Sequence, residues 1–259
     1  AVATKMVGSD DTLLVLPADH YVSDIEAFQV AVKSAVELAQ GDHLVTFGVK
    51  VKTPNTNYGY IEVGSQHGAG FKVKQFIEKP EKEIAQSYID AGTFFWNSGM
   101  LVFKARSFIK ELNKLEPKIL DAVEGSILSA VTDLDFIRLG KDEFSSSPEG
   151  SIDYILLEKT KKLLLLELDA GWSDIGSWDA LADIVAGNGQ GNILPEKAVS
   201  IETTNSVVRS IQGKTVATIG LEDIVAIDTH DALLIARKDC LQEIKKVVEN
   251  LESMQSEVT

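Results

Sequence analysis

The chain has 259 residues, of which 44% are hydrophobic, so it can bury the core of one large domain or two modest ones. The formal net charge of −14 argues against a surface for nucleic acid or for an anionic membrane. It leaves nucleotides possible, because Mg²⁺ and one or two lysines can neutralise phosphate. The single cysteine, Cys240, excludes an intrachain disulfide and fits a cytoplasmic location, and we find neither a signal peptide nor an apolar run long enough to span a bilayer.

Strands and helices alternate through the first 185 residues. Apolar runs between turn signals predict strands at 12–16, 44–49, 58–63, 71–79, 94–96, 100–104 and 162–168. Caps, prolines and helical periodicity predict helices at 25–39, 81–91, 105–115, 117–130, 151–159 and 177–185, and residues 97–99 and 142–148 are predicted to be a turn and a polar loop. This alternation favours an α/β fold with a mostly parallel sheet and right-handed crossovers.

The pattern changes at Gly187. Short β-type runs follow at 198–202, 206–210, 215–219, 224–228 and 232–236, and an amphipathic helix at 238–254 closes the chain. Their regular spacing is typical of a sandwich, a barrel or a β-solenoid. We therefore predict a first domain at 1–187 and a small β-rich domain at 188–259, whose unpaired strand edges suit self-association.

Two aspartates stand in turns that follow apolar strands. Asp19 comes just after the strand at 12–16, and Asp174 follows the strand at 162–168. Local structure offers other roles, an Asx turn or helix cap for Asp19 and support of Ser177 for Asp174. Carboxylates at strand ends build ligand sites in open α/β sheets, and Mg²⁺ commonly takes one or two of them plus substrate phosphates. We predict that the two aspartates share one divalent metal.

A second group of candidates lies around the middle strands. Glu78 and Lys79 end a strand, where they form either a solvated ion pair or a site in which the carboxylate accepts from two hydroxyls and the ammonium binds a phosphate. Gly59 follows Tyr58 within a predicted strand and marks either a bulge or close approach of a ligand. Asn97 is a turn residue, or a neutral donor and acceptor of the kind that sugar sites use.

The helix predicted at 151–159 opens with two polar residues. Ser151 is most simply its cap, and Asp153 in the first turn favours the helix dipole, with a role in a site as the alternative. His20, beside Asp19, is expected to line the same cleft. The sequence contains no recognisable Ser-His-Asp or Cys-His set and no zinc motif.

Six motifs, in order and spacing, resemble those of the mannose-1-phosphate guanylyltransferases, a family of sugar nucleotidyltransferases. They are LPADHYVSD at 16–24, NYGYIEVG at 57–64, FIEKP at 76–80, FFWNSGMLVF at 94–103, SIDYILLEK at 151–159 and AGWSDIGSWDAL at 170–181. The segment GLEDIVAIDTHDALLIA at 220–236 is also similar to the C-terminal part of that family.

The resemblance implies a Rossmann-like nucleotidyltransferase sheet followed by a left-handed β-helix. It implies an enzyme that transfers GMP from GTP to mannose 1-phosphate, giving GDP-mannose and pyrophosphate. Asp19 and Asp174 would hold Mg²⁺, and Lys79 would contact the sugar phosphate. Glu78 and Asn97 would bind mannose hydroxyls, with Gly59 backing the sugar and with Tyr58, Ser151 and Asp153 as further substrate-binding candidates.

The sequence departs from the family pattern in two places. The family usually reads E-T-G-Y-G-Y where this chain has N-T-N-Y-G-Y at 55–60, and its Gly-rich G-G-x-G-T-R-L loop, which cradles the triphosphate, is not in the printed sequence. We therefore expect the chain to begin after that loop, to form no GDP-mannose alone and to expose an apolar sheet edge beside residues 13–16. The alternatives are a non-catalytic fragment that binds sugar phosphate or oligomerises, and a nucleotidyltransferase for another hexose 1-phosphate.

Overall fold

The computed structural model describes residues 7–176, 191–211 and 213–256. The chain divides into two compact units, Ala1–Trp172 and Ser173–Thr259, called here the first and second units. The helix predicted at 177–185 and the domain boundary predicted between 187 and 188 lie outside the described residues, and that boundary stays a prediction.

The first unit combines a mixed sheet with helices on both of its faces. Its strands are β1 (Thr12–Val15), β2 (Tyr21–Val22), β3 (Leu44–Lys50), β4 (Tyr60–His67), β5 (Gly70–Ile77), β6 (Phe94–Lys104), β7 (Val131–Asp133), β8 (Phe136–Arg138) and β9 (Leu163–Glu167). The strand β10 (Trp172–Ser173) includes the division between the units. The helices are α1 (Ile25–Ala39), α2 (Lys82–Ala91), α3 (Ala105–Leu115), α4 (Pro117–Leu128) and α5 (Lys141–Ser145), and Asp153–Leu157 forms a π-helical turn. The loop predicted at 142–148 is thus partly the helix α5.

The main sheet has six strands in the order β1-β6-β3-β9-β5-β4, and β4 also pairs with β6. The prediction of a mostly parallel sheet is wrong for the described strands, since β3 with β9 is the one parallel pair in this sheet. The cause is topological. A tight turn at Gly68, with φ of 58°, joins β4 directly to β5, and strands joined by so short a connection must run antiparallel.

The strand β6 holds the largest local difference from the sequence prediction. Residues 97–99 were expected to be a turn, but β6 runs unbroken from Phe94 to Lys104. The strand accommodates these turn-forming residues through a local irregularity: Gly99 has φ of 72°, and the register with β3 shifts between Thr46 and Gly48. Asn97 consequently lies inside a central strand, paired with Gly48, instead of at a loop tip.

Burial on both sheet faces explains the continuous apolar run in β9. Leu164 and Leu166 pack into the cluster under α1, whereas Leu163 and Leu165 pack into the cluster on the opposite face. Strands covered on both sides read as unbroken hydrophobic runs, so the prediction of a buried strand here is confirmed.

The strand β1 lies at the edge of the sheet and pairs with β6 alone. Its apolar side chains Leu14 and Val15 are 39% and 44% exposed. The apolar edge expected beside residues 13–16 is therefore present.

The second unit is β-rich. It contains β11 (Ala198–Ile201), β12 (Val207–Ser210), β13 (Val216–Ile219), β14 (Ile224–Asp228) and β15 (Leu233–Arg237), then a 3₁₀ helix (Lys238–Glu243) and α6 (Ile244–Ser256). Parallel pairs join Ala198 to Val216 and Val207 to Val225, and both pairs are separated by 18 residues of sequence. A constant offset between parallel neighbours is the signature of a coil that stacks on itself, so of the three predicted architectures the solenoid is the one present.

The helix predicted at 238–254 is a 3₁₀ helix followed by α6, and together they bury part of the predicted apolar stripe. Leu241 and Ile244 pack with the core residues Val207 and Val225, but Val247 remains 48% exposed. Among the described residues of both units, we find no helix with the length and apolar character needed to cross a membrane.

Candidate active site

Gly59 marks the point where three segments of the first unit approach one another. A Cβ added there would collide with Oε2 of Glu78 and would lie 3.4 Å from Cβ of Asn97. The carbonyl of Gly59 accepts a hydrogen bond of 2.8 Å from the backbone N–H of Asn97. Glycine is therefore needed because a side chain would collide with the Glu78 carboxylate. The position that such a side chain would take, beside Glu78 and the Cβ of Asn97, is called the gap here.

The amide of Asn97 is joined to the π-helical turn. Its Nδ2 donates to Oδ1 of Asp153 at 3.2 Å, and the Ser151 hydroxyl donates to Oδ2 of Asp153 at 2.8 Å. Ser151 also accepts from the backbone N–H of Asp153 at 3.3 Å. The helix predicted at 151–159 is a π-helical turn instead, a rare form that is frequent at functional sites, and Asp153 on it bonds to Asn97 of β6.

Glu78 and Lys79 follow β5, and their side chains differ in solvent exposure. The side chain of Glu78 is 12% exposed and that of Lys79 is 60% exposed, with Nζ 3.8 Å from Oε1. Lys79 has φ of 48°, an uncommon value for a residue with a Cβ, and its N–H donates to the Tyr58 carbonyl at 3.2 Å. The ion pair foreseen as one alternative is present, and it leaves an ammonium group facing solvent beside a largely buried carboxylate.

The surroundings of Glu78 disfavour its charge. Burial raises the pKa of this carboxyl group, and the negative charges of Asp153 and Glu158 raise it further, while Lys79 opposes them. The backbone N–H of Glu78 donates to Oε1 of Glu158 at 3.2 Å, which holds that second carboxylate close by. An ionised Glu78 is thus a strong acceptor that the protein alone does not fully compensate.

Glu78→Gln is expected to stabilise the fold at neutral pH. A carboxyl whose pKa is higher in the folded than in the unfolded chain binds its proton more readily when folded, so the free energy of unfolding rises as the pH falls toward the unfolded value of about 4.3. The glutamine variant has no charge to bury, so it does not lose stability through the ionisation of a buried carboxyl group. Its melting temperature should exceed that of the wild type most at the alkaline end of the range from about pH 5 to 8, and the gap should narrow on acidification.

Glu62→Gln provides the control for this experiment, because Glu62 lies on β4 and pairs with Lys74 at the surface, 3.1 Å away. Loss of that pair should change the melting temperature little. A lower melting temperature for Glu78→Gln at neutral pH would contradict the burial penalty.

Aromatic rings connect this cluster to the end of β1. Tyr58 contacts Trp96 and Trp172, with ring centroids 5.0 and 5.7 Å apart. Trp172 Nε1 donates to Nδ1 of His20 at 3.2 Å, and a Cβ on Gly99 would lie 3.8 Å from the His20 ring. These contacts join His20 to Trp172 and Gly99, and the expectation that it lines the same cleft as Asp19 stays a prediction. The two tryptophans were not singled out from the sequence, where an aromatic residue in a strand gives no sign of lining a site.

The two predicted metal ligands fall in different units. Asp19 is exposed, with no hydrogen-bonding partner among the described residues, while Oδ1 of Asp174 accepts from the Gly176 N–H at 3.0 Å in the second unit. Their shared metal therefore stays a prediction. The exposed carboxylate of Asp19 fits a hard cation completed by water and phosphate. A cluster of three or more His, Cys, Asp or Glu side chains able to hold a metal is not found in the described part of the chain.

The structure thus gathers most of the predicted residues in one place. The seven that meet in the first unit are Tyr58, Gly59, Glu78, Lys79, Asn97, Ser151 and Asp153. They come from four segments of the chain and present an acceptor, a donor and a cation around the gap at Gly59. Such a set can bind a ligand with several hydroxyl groups and one anionic group.

Family models match both parts of the chain. The model described as nucleotidyl transferase matches residues 1–190, and the model described as MannoseP isomerase/GMP-like beta-helix domain matches residues 196–251. The chain belongs to the nucleotidyl transferase family, and its nucleotidyltransferase domain is followed by a β-helix domain.

Curated relatives agree over almost the whole chain. The mannose-1-phosphate guanylyltransferase of Escherichia coli K12 is 42% identical over 250 residues, which are 95% of this chain and 52% of the relative. The xanthan biosynthesis protein XanB of Xanthomonas campestris is 43% identical over 246 residues, with the same two coverages. The chain therefore spans about half the length of these relatives.

Solved structures support the same fold. A crystal structure from Thermus thermophilus, described as mannose-1-phosphate geranyltransferase, matches with a TM-score of 0.80 and 32% identity, covering 93% of this chain and 70% of that one. A structure from Helicobacter pylori, described as mannose-6-phosphate isomerase, matches with a TM-score of 0.61 and 38% identity, covering 66% of this chain and 67% of that one.

Proposed function

We propose that the chain carries the sugar-phosphate site of a mannose-1-phosphate guanylyltransferase, which transfers GMP from GTP to mannose 1-phosphate. The observation that carries this proposal is the meeting of Glu78, Asn97 and Lys79 around the gap at Gly59. The names of the curated relatives favour mannose 1-phosphate as the sugar phosphate and GTP as the nucleotide.

The side chains divide the work of binding the sugar. The carboxylate of Glu78 accepts from ring hydroxyls, and the Asn97 amide donates to a neighbouring one. Tyr58 bounds the gap through its contacts with Trp96, while Asp153, held by Ser151, orients the amide. The exposed ammonium of Lys79 meets the phosphate of the sugar.

The reaction needs no general base. A phosphate oxygen of mannose 1-phosphate, already ionised at neutral pH, attacks the α-phosphorus of GTP. One P–O bond forms as the bond to the bridging oxygen breaks, so the products are GDP-mannose and pyrophosphate. Positioning and charge neutralisation are then the main contributions of the protein. A divalent cation, Mg²⁺ in this proposal, would be held by Asp19 and Asp174 and would neutralise phosphate charge.

The sugar-phosphate site can be tested by titration calorimetry on the 259-residue chain. Mannose 1-phosphate should bind and glucose 1-phosphate should bind more weakly, since the two sugars differ in the orientation of one hydroxyl next to the anomeric carbon. Preference for glucose 1-phosphate would favour a nucleotidyltransferase for another hexose phosphate. Failure to bind either compound would contradict the proposal.

Asp174→Asn and Asp19→Asn are each expected to remove the dependence of mannose 1-phosphate binding on Mg²⁺. Each substitution replaces a charged oxygen ligand by a neutral amide of the same size, so the metal-free affinity should stay as in the wild type. Calorimetry with and without Mg²⁺ measures the difference. Asp90→Asn, on the exposed face of α2, is the matched control and should retain the Mg²⁺ effect. An undiminished Mg²⁺ effect in Asp19→Asn and Asp174→Asn would count against the shared metal.

The β-helix domain is proposed to mediate self-association into a homodimer. Its outer strand β15 exposes Leu233 and Ile235 by 61% and 64%, an amount of apolar surface that suits burial against a partner.

A further inference from the structure

Thr46 is a buried polar residue to which neither the motifs nor the proposed reaction assigns a role. It lies in the middle of β3 with no exposed surface. Its hydroxyl lies 2.9 Å from Oδ1 of Asn97 and 3.1 Å from the carbonyl of Met100. The register shift between β3 and β6 places both acceptors opposite this one side chain.

The chemistry of the neighbours sets the direction of these hydrogen bonds. The Asp153 side chain accepts from the Ser151 hydroxyl and also from the amide nitrogen of Asn97, so the amide oxygen of Asn97 faces Thr46. The Thr46 hydroxyl is then the donor, and its one hydrogen is shared between that oxygen and the Met100 carbonyl. The Met100 carbonyl, also an acceptor alone, cannot supply the hydrogen.

We infer that Thr46 is a positioning residue for the sugar site, which fixes the Asn97 amide with its N–H groups toward Asp153 and the gap. With the oxygen occupied by Thr46 and one N–H by Asp153, the second N–H remains for the ligand. Asn97 is thereby restricted to the role of donor, complementary to the acceptor Glu78. This inference rests on the proposed function for the identity of the ligand, but the locked amide does not depend on it.

The chain Thr46–Asn97–Asp153–Ser151 also explains why a hydroxyl is retained in the core. A buried hydroxyl costs free energy unless it is hydrogen-bonded, and valine would fill the same volume without that cost. Two other buried hydroxyls, those of Ser200 and Thr218, have no hydrogen-bonding partner among the described residues. A buried hydroxyl in this protein is therefore not always hydrogen-bonded, which makes the contacts of Thr46 informative.

Thr46→Val tests the inference, with Thr46→Ser as the conservative rescue. The valine variant keeps the shape and loses the donor, so mannose 1-phosphate should bind about threefold to tenfold more weakly, as expected for one lost hydrogen bond. The serine variant should bind within about twofold of the wild type. Thr218→Val, which removes a buried hydroxyl in the second unit, is the control and should leave the affinity unchanged.

A second readout needs no ligand. The side-chain amide protons of Asn97, assigned by their loss in Asn97→Asp, should give one set of NMR signals in the wild type and in Thr46→Ser. Thr46→Val should show two sets or exchange broadening, because the amide can turn over. An unchanged amide signal together with an unchanged affinity in Thr46→Val would overturn the inference.

The two readouts separate this inference from the proposed function. If the wild type binds no mannose 1-phosphate, the proposed function fails, and the amide signals alone decide the role of Thr46. Unaltered signals in Thr46→Val would then refute it, and a second set of signals would support it. If Thr46→Val merely destabilises the fold, its melting temperature falls while affinity and amide signals persist, which also refutes it.

Discussion

Gly59→Ala is expected to lower mannose 1-phosphate affinity by about tenfold to a hundredfold while leaving the fold intact. The new methyl group would collide with the carboxylate of Glu78, which is the far end of a flexible side chain and can swing away. The backbone tolerates alanine, because Gly59 is not among the residues with positive φ. The variant therefore keeps its fold, but the Glu78 carboxylate, on which sugar binding depends, is displaced. Calorimetry of the variant measures the loss.

Gly64→Ala is the control for this experiment. Gly64 lies on β4, five residues after Gly59, and a Cβ there would lie 3.1 Å from the Lys74 side chain and 3.3 Å from the Lys72 carbonyl, with no atom of Glu78 or Asn97 among its three nearest neighbours. Its affinity should remain at the wild-type level. Normal binding by Gly59→Ala would mean that the sugar does not use the gap beside Glu78.

Gly48→Ala is expected to lower the free energy of unfolding by about 3 kcal/mol, the upper end of the usual cost of overpacking. A Cβ at Gly48 would lie 2.5, 2.8 and 2.8 Å from three side-chain atoms of Leu165. Leu165 is completely buried in β9, so it has no free space into which to retreat. Urea denaturation, read by tryptophan fluorescence, gives the change in stability.

Gly125→Ala is the contrasting variant. Gly125 lies within α4, and its nearest neighbour atoms belong to Glu143 at 3.5 Å, an ordinary contact distance. Alanine in a helix is better than glycine by about 0.5–1 kcal/mol, so this change should stabilise. Equal effects at Gly48 and Gly125 would refute the packing argument.

Local sequence signals predicted α1 and α2 well because those signals act locally. Asp24 caps α1 by accepting from the Ala27 N–H at 2.9 Å, and Gly92 ends α2 in the left-handed conformation with φ of 66°. The five short strands of the second unit also lie within a residue of their predicted starts. Each of these features depends on a few neighbouring residues.

The topology of the main sheet could not be read in the same way. An apolar strand between helices can run parallel or antiparallel to its neighbours, and the sequence pattern does not show which. The sequence also predicts two strands joined by a turn where the structure has the single strand β6. The residues Asn97-Ser98-Gly99 have turn propensity, but pairing with β3 keeps them in the strand. The register between the two strands shifts at this point.

Candidate residues of the site were found singly, and their grouping came from the fold. Motif resemblance pointed to Glu78, Lys79 and Asn97, which do meet. It could not point to Thr46, because a threonine within an apolar strand has the same sequence pattern as any β-former. The metal-binding roles of Asp19 and Asp174 remain predictions.

The long strand β6 has a consequence for motion in the site. It pairs with β1, β3 and β4, so the segment after β1, the hydroxyl on β3 and the glycine before β4 are all held against one backbone. These contacts join residues as far apart in sequence as Thr12 and Lys104, so the gap is assembled from strongly non-local pairings. Asn97, the donor beside the gap, cannot move far unless the hydrogen bonds that pair β6 with its neighbouring strands break. Its fluctuations are therefore tied to unfolding of the whole sheet, whereas the exposed ammonium of Lys79 stays free to follow the ligand.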